Sequence, residues 1–107
     1  MVAQTREALK TVLLYLEALR ASGIPVSEAF LFGSFAVGGA RDESDIDVAV
    51  ISKAFTGDRF ADRRRIIPLR RDIDSRIEPI PFRPEDFRRG GILVDEIKAH
   101  GVRVPTK

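Results

Sequence analysis

The fold is decided by residues 32–50, which read FGSFAVGGARDESDIDVAV. The segment starts in an apolar aromatic run, turns at a Gly-Ser pair, continues through small residues and ends in a β-branched run that opens Asp-Ile-Asp. This pattern predicts a buried strand, a tight turn, a short helix, a polar loop and a second strand. Gly33 permits the turn and allows a ligand to approach the backbone closely.

Helical and extended segments alternate on both sides of this stretch. Pro79 and Pro81 favour a sheet edge for the strand that contains them, and Pro68 must break or kink its helix. The predicted elements are a helix over 5–21, a strand over 29–32, a helix over 34–40, a strand over 45–52, helical structure over 58–74, a strand over 76–82, a helical turn over 84–87, a helix over 92–99 and a strand over 102–104. The alternation predicts one α/β domain, residues 1–107, with a mixed sheet covered by helices.

The composition excludes several kinds of site. The chain has 107 residues, no cysteine and one histidine. The absence of cysteine excludes a disulfide framework and a thiolate nucleophile, and His100 alone disfavours a zinc site or a Ser-His-Asp triad. The net charge of +2 does not by itself indicate nucleic acid. Since the longest uncharged run, residues 29–40, is too short for a bilayer and no signal core precedes it, we expect a cytoplasmic protein.

Two carboxylates open the second strand of the decisive stretch. Asp45 and Asp47 are two residues apart, so they project from one face of the strand with their Cα atoms about 6.6 Å apart. The turn at Gly33 and Ser34 offers backbone amides and a hydroxyl to an anion. The segment lacks the lysine of a P-loop and the second glycine of a dinucleotide fingerprint. A phosphate cradle beside paired carboxylates indicates metal-assisted transfer of a phosphoryl or nucleotidyl group.

The spacing of these residues resembles a known signature. Gly33-Ser34, ten residues and then Asp45-Ile46-Asp47 is similar to the GSx10DxD motif of the DNA polymerase beta-like nucleotidyltransferase superfamily, and the small size resembles its minimal nucleotidyltransferase branch. The resemblance implies that Gly33 and Ser34 hold the β- and γ-phosphates of a nucleoside triphosphate. It implies that Asp45 and Asp47 bind two Mg²⁺ ions, which activate the nucleophile and stabilise the leaving pyrophosphate.

The same resemblance implies a third carboxylate on a later strand. Glu78 fits best because the proline after it favours an extended backbone. It would complete one metal site and help to deprotonate the acceptor hydroxyl. The family more often has aspartate at this position, and Asp72 and Asp74 remain alternatives. Three gathered carboxylates repel each other unless a dication neutralises them.

The activity that the resemblance implies is transfer of a nucleoside monophosphate, AMP from ATP, to a hydroxyl. It also implies a separate small helical partner of the HEPN type, which the transferase modifies in an antitoxin-like role within a toxin–antitoxin pair. The alternative is a binding module of the same fold that does not turn over. Tyr15, within an apolar helical run, is interpreted as a packing residue and not as an acceptor hydroxyl.

Ten arginines lie between Arg59 and Arg89. We interpret them mainly as a solvated helix face, and the other interpretation is a surface for an acidic partner or RNA. Their spacing predicts helical ion pairs, namely Arg59–Asp62, Asp62–Arg65 and Arg70–Asp74. The apolar side chains predicted to point inward from this segment are Phe60, Ile66, Ile67, Leu69 and Ile73.

Overall fold

A four-stranded mixed sheet forms the centre of the computed structural model, which describes residues 1–106. The strands are β1 (Glu28–Phe32), β2 (Ile46–Ile51), β3 (Ile77–Phe82) and β4 (Val102–Arg103). They lie in the order β3-β2-β1-β4, with β1 antiparallel to β2 and β4, and β2 parallel to β3. The predicted mixed sheet is confirmed, and β3 with its two prolines lies at an edge as predicted.

Helices cover both faces of this sheet. They are α1 (Ala3–Ala21), α2 (Ser34–Val37), α3 (Arg59–Ile66) with a 3-10 turn at Ile67–Arg70, α4 (Pro84–Arg89) and α5 (Ile92–His100). The break expected at Pro68 is present, since α3 ends just before it. The helix predicted over 34–40 is shorter, because Gly38 takes a left-handed φ of 88° and ends it. Among the described residues, no helix is long and apolar enough to cross a bilayer.

Alternation along β2 divides the core into two layers. Ile46, Val48 and Val50 pack on one face with residues of α1, α2 and α3. Ala49 and Ile51 pack on the other face with α4 and α5. The prediction for Phe60 was wrong, because this ring is 73% exposed. Helical spacing shows which side chains share a face of α3, but it does not show whether another element covers that face.

A buried carboxylate fixes the loop between β2 and α3. Asp62 is 1% exposed and accepts hydrogen bonds from the Thr56 amide at 2.9 Å, the Thr56 hydroxyl at 3.0 Å and the Gly57 amide at 3.0 Å. The predicted ion pairs of Asp62 with Arg59 and Arg65 are therefore wrong. Because the loop amides hold this carboxylate, they also set where α3 presents its arginines to the sheet.

A tyrosine joins α1 to the end of α3, on the face of the sheet that both helices cover. Tyr15 is fully buried and its hydroxyl donates to the Ile66 carbonyl at 2.7 Å. Burial raises the pKa of Tyr15 well above its ordinary range, so the phenol stays neutral. The interpretation of Tyr15 as a packing residue is confirmed.

Candidate active site

The turn between β1 and α2 is built on a glycine that no other residue could replace without strain. Gly33 adopts a φ of 74°, which favours glycine, and its carbonyl accepts hydrogen bonds from the amides of Ala36 and Val37. A Cβ atom at this position would collide with the Asp47 carboxylate. Gly33 therefore lets the turn lie directly against Asp47, and Ser34 follows as the first residue of α2.

Three carboxylates line one cavity of about 370 Å³. Asp45 immediately precedes β2, Asp47 is the second residue of β2, and Glu78 is the second residue of β3. Asp47 is paired in register with Glu78 on β3 and with Phe32 on β1. Neighbouring strands lie about 4.8 Å apart, so parallel pairing places Asp47 and Glu78 side by side at the same end of the two strands. The cavity thus gathers the three acids that the sequence singled out.

Asp47 has an unusual electrostatic environment. It is half-buried, and no hydrogen bond reaches its carboxylate from any group in residues 1–106. Burial first, and then the nearby carboxylates of Asp45 and Glu78, together raise the pKa of Asp47 to about 6. A cation placed beside Asp47 would therefore relieve both the desolvation and the repulsion.

Glu78 already has cationic partners. Its Oε2 lies 2.6 Å from Arg63 Nη2, and its Oε1 lies 3.1 Å from Arg70 Nη1. Arg70 also donates to the Ile77 carbonyl at 2.6 Å. The predicted pair Arg70–Asp74 is therefore wrong, because Arg70 lies closer to the strand than to its own helical neighbours. Sequence reasoning missed this contact because α3 ends between Arg63 and Arg70, so helical spacing does not relate the two side chains.

The two alternative acids lie elsewhere. Asp72 is exposed and does not line the cavity. Asp74 accepts hydrogen bonds from the side chain of Arg76 at 2.8 and 3.0 Å, and these bonds lower the pKa of Asp74. Of the three candidates for the third carboxylate, the structure brings only Glu78 to Asp45 and Asp47.

Comparison with known proteins shows which family the chain belongs to. A family model described as a nucleotidyltransferase domain matches residues 10–100. The chain belongs to the nucleotidyltransferase domain family. Membership of this family supports nucleotidyl transfer as the general activity of the chain. A comparison with curated protein sequences gave no match.

Solved structures show where else this nucleotidyltransferase fold occurs. A crystal structure of a toxin–antitoxin with AMP-PNP superimposes with a TM-score of 0.65 at 24% identity, covering 92% of this chain and 73% of the other. A candidate nucleotidyltransferase from Sulfolobus solfataricus gives 0.63 at 23% identity, covering 96% and 87%. At identities this low, the two superpositions establish a common fold and no shared role.

Nucleotidyltransferases of this family typically use divalent metal ions. The question is therefore whether the carboxylates of the cavity could bind such an ion. Among residues 1–106, no group of three histidine, cysteine, aspartate or glutamate side chains is already arranged to hold a metal. Asp45 and Asp47 nevertheless suit a hard cation, because both offer carboxylate oxygens and Asp47 has no hydrogen-bond partner within residues 1–106. Glu78 could join them only after giving up contacts with Arg63 and Arg70.

Proposed function

We propose that this nucleotidyltransferase moves a nucleoside monophosphate, AMP from ATP, to a hydroxyl on a helical HEPN-type partner, in an antitoxin-like role. The observation that carries the proposal is the register pair Asp47–Glu78 beside the Gly33 turn. The neighbour described as a toxin–antitoxin with AMP-PNP, an ATP analogue, supports the choice of nucleotide and of partner. The whole described chain is proposed to act as a single minimal nucleotidyltransferase domain.

Each acidic residue has a proposed part. Asp45 and Asp47 would hold two Mg²⁺ ions, with Glu78 as the third ligand. Bound metal supplies Lewis-acid activation of the nucleophile and charge stabilisation of the leaving group. The backbone at Gly33 and the hydroxyl of Ser34 would receive the β- and γ-phosphates, where the turn exposes amides that the short helix does not use.

The reaction is a displacement at the α-phosphorus. The acceptor oxygen forms a bond to this phosphorus, the bond to the bridging oxygen breaks, and pyrophosphate leaves with its electron pair. The acceptor proton passes to a carboxylate, for which Glu78 is the proposed base. Because Glu78 is held by Arg63 and Arg70, one of these arginines must release it before it can accept a proton. Both arginines are partly exposed, so they can move without opening the core.

The test is transfer of label from α-³²P nucleoside triphosphates in the presence of Mg²⁺, with and without a HEPN-type protein. We expect label to enter the partner from ATP, and not from γ-labelled ATP, because the γ-phosphate leaves in pyrophosphate. Asp45→Ala and Asp47→Ala should abolish transfer. Asp72→Ala is the matched control, because this acid is exposed and lies outside the cavity. Transfer that survives Asp47→Ala would contradict the proposal.

A second candidate function is favoured by the ion pairs of Glu78. If Arg63 and Arg70 hold this carboxylate permanently, the domain binds a nucleotide or a partner without turnover. Calorimetry distinguishes the two functions. Binding of ATP with no labelled product under any condition would establish the binding module.

A further inference from the structure

A second and larger cavity, of about 550 Å³, lies at the far end of β3 from the acids. It is lined by the last residues of β3, the end of α4, the start of α5 and the first residue of α3. Three arginines stand in its wall, namely Arg59, Arg83 and Arg89. Nothing in the proposed chemistry at the carboxylates uses this cavity.

The two cavities are neighbours, because Arg59 and Pro81 line both of them. Glu78 lies near the start of β3 and Phe82 at its end, four residues apart and therefore separated by ~13 Å at about 3.3 Å per residue. The acidic cavity and the arginine-lined cavity thus adjoin along the edge strand, and we refer to the pair as the trough. A ligand that reaches both ends must be extended over about four residue lengths.

The far cavity carries a net positive charge. Asp86 pairs with Arg83 at 2.8 Å and with Arg89 at 3.2 Å, and Glu85 lies 3.8 Å from Arg83. Three guanidinium groups therefore face two carboxylates. Arg59 lies 5.0 Å from the centre of the Phe82 ring and forms no ion pair within residues 1–106. Arg59 is thus the cation best placed to receive a carboxylate from outside.

The walls suit a polypeptide better than a polyphosphate chain. Part of the lining is apolar, including Phe82 and Leu93, and Ile92 at the rim is 94% exposed. Pro79 and Pro81 remove two amide donors from the edge strand, so an incoming segment would be held by side chains and not as an added strand.

We propose that the trough binds an acidic, extended segment of a polypeptide acceptor, with a carboxylate on Arg59 about four residues from the hydroxyl that receives the nucleotide. The proposal rests on the proposed function, since it places the reacting hydroxyl at Asp45, Asp47 and Glu78. It assigns the substrate class of the acceptor from charge complementarity and from the length of the trough.

The test measures binding and transfer separately. The probe is a fluorescein-labelled decapeptide with one serine and two glutamates three to five residues after it, compared with its glutamine isostere and with the oligonucleotide dT10. Anisotropy is recorded without nucleotide. We expect each glutamate to make the peptide bind about fivefold more tightly than its glutamine isostere. Arg59→Ala or Arg89→Ala should weaken binding of the glutamate peptide by about three- to fivefold. Arg71→Ala, an exposed arginine outside both cavities, is the matched control.

The possible results separate the two proposals. Equal binding of both peptides, or binding of dT10 that depends on Arg59 while the peptide does not bind, would overturn the acidic-segment proposal. Charge-dependent peptide binding, together with no transfer of α-label to a HEPN-type protein, would overturn the proposed function and leave the docking site in place. Charge-dependent binding together with labelled serine would support both.

Discussion

Replacing Asp47 with asparagine should stabilise the metal-free protein while it removes activity. The wild-type carboxylate is half-buried, has no hydrogen-bond partner within residues 1–106 and faces two other acids. Asparagine has nearly the same shape but carries no charge. The substitution therefore removes an unfavourable charge without opening a cavity or breaking a hydrogen bond.

The magnitude follows from the pKa of Asp47. The ordinary value of 3.8 is raised to about 6 on folding. Such a difference corresponds to at most about 3 kcal/mol, and because the carboxylate is half-exposed, solvent screening reduces this to ~1–2 kcal/mol. Since the folded pKa is the higher one, the favourable contribution of Asp47 is present below about pH 4 and is lost as the pH rises through 6. The gain from Asp47→Asn should thus be full at pH 8 and absent near pH 4.

The assay is urea unfolding of both proteins at pH 4 and pH 8 in the presence of a chelator. We expect Asp47→Asn to raise the free energy of unfolding by ~1–2 kcal/mol at pH 8 only. Asp72→Asn, an exposed acid outside the cavity, should change neither value. An equal effect of Asp47→Asn at both pH values, or none at pH 8, would refute the electrostatic reasoning. Added Mg²⁺ should stabilise the wild type and not the variant, since ligands stabilise only the state that binds them.

Gly33→Ala should lower the free energy of unfolding by about 1–3 kcal/mol, because φ is 74° and the new Cβ would displace Asp47. The control in urea unfolding is Gly39→Ala, which has open space around its Cβ. Asp62→Asn should cost about 1–3 kcal/mol by disrupting the hydrogen bonds that fix the β2–α3 loop, and an unchanged urea midpoint would contradict its assigned role. Arg63→Ala should tighten Mn²⁺ binding up to about fivefold in calorimetry, because Glu78 loses a competing cation. Weaker Mn²⁺ binding would show instead that Arg63 positions Glu78 for the metal.

The sheet and its decisive turn could be predicted because they depend on local patterns. Alternation fixed the two faces of β2, and Pro68 marked a helix end through its own backbone restriction, whereas the end of α2 at Gly38 was missed. Pro79 and Pro81 identified an edge strand for the same reason. The meeting of Asp47 with Glu78 was implied by the family resemblance, and the parallel pairing of β2 with β3 brings it about.

The partners of the arginines could not be predicted in the same way. Helical spacing shows which side chains share a face, but it does not show what packs opposite them. Asp62 was expected to pair with arginines, yet it is buried under loop amides because the Thr56–Gly57 turn folds back over α3. Arg70 likewise pairs across to β3, a contact that depends on tertiary packing.

The two-sided burial of β2 has a consequence for how the protein opens. Its neighbours β1 and β3 hydrogen-bond it on both edges, and residues 48–51 are buried on both faces. Amide hydrogens in such a strand exchange with solvent only when the whole domain unfolds, whereas the two-residue β4 and the four-residue α2 can open locally. Asp45 and Asp47 are therefore attached to the most slowly exchanging part of the chain, and the turn that faces them belongs to a part that exchanges faster.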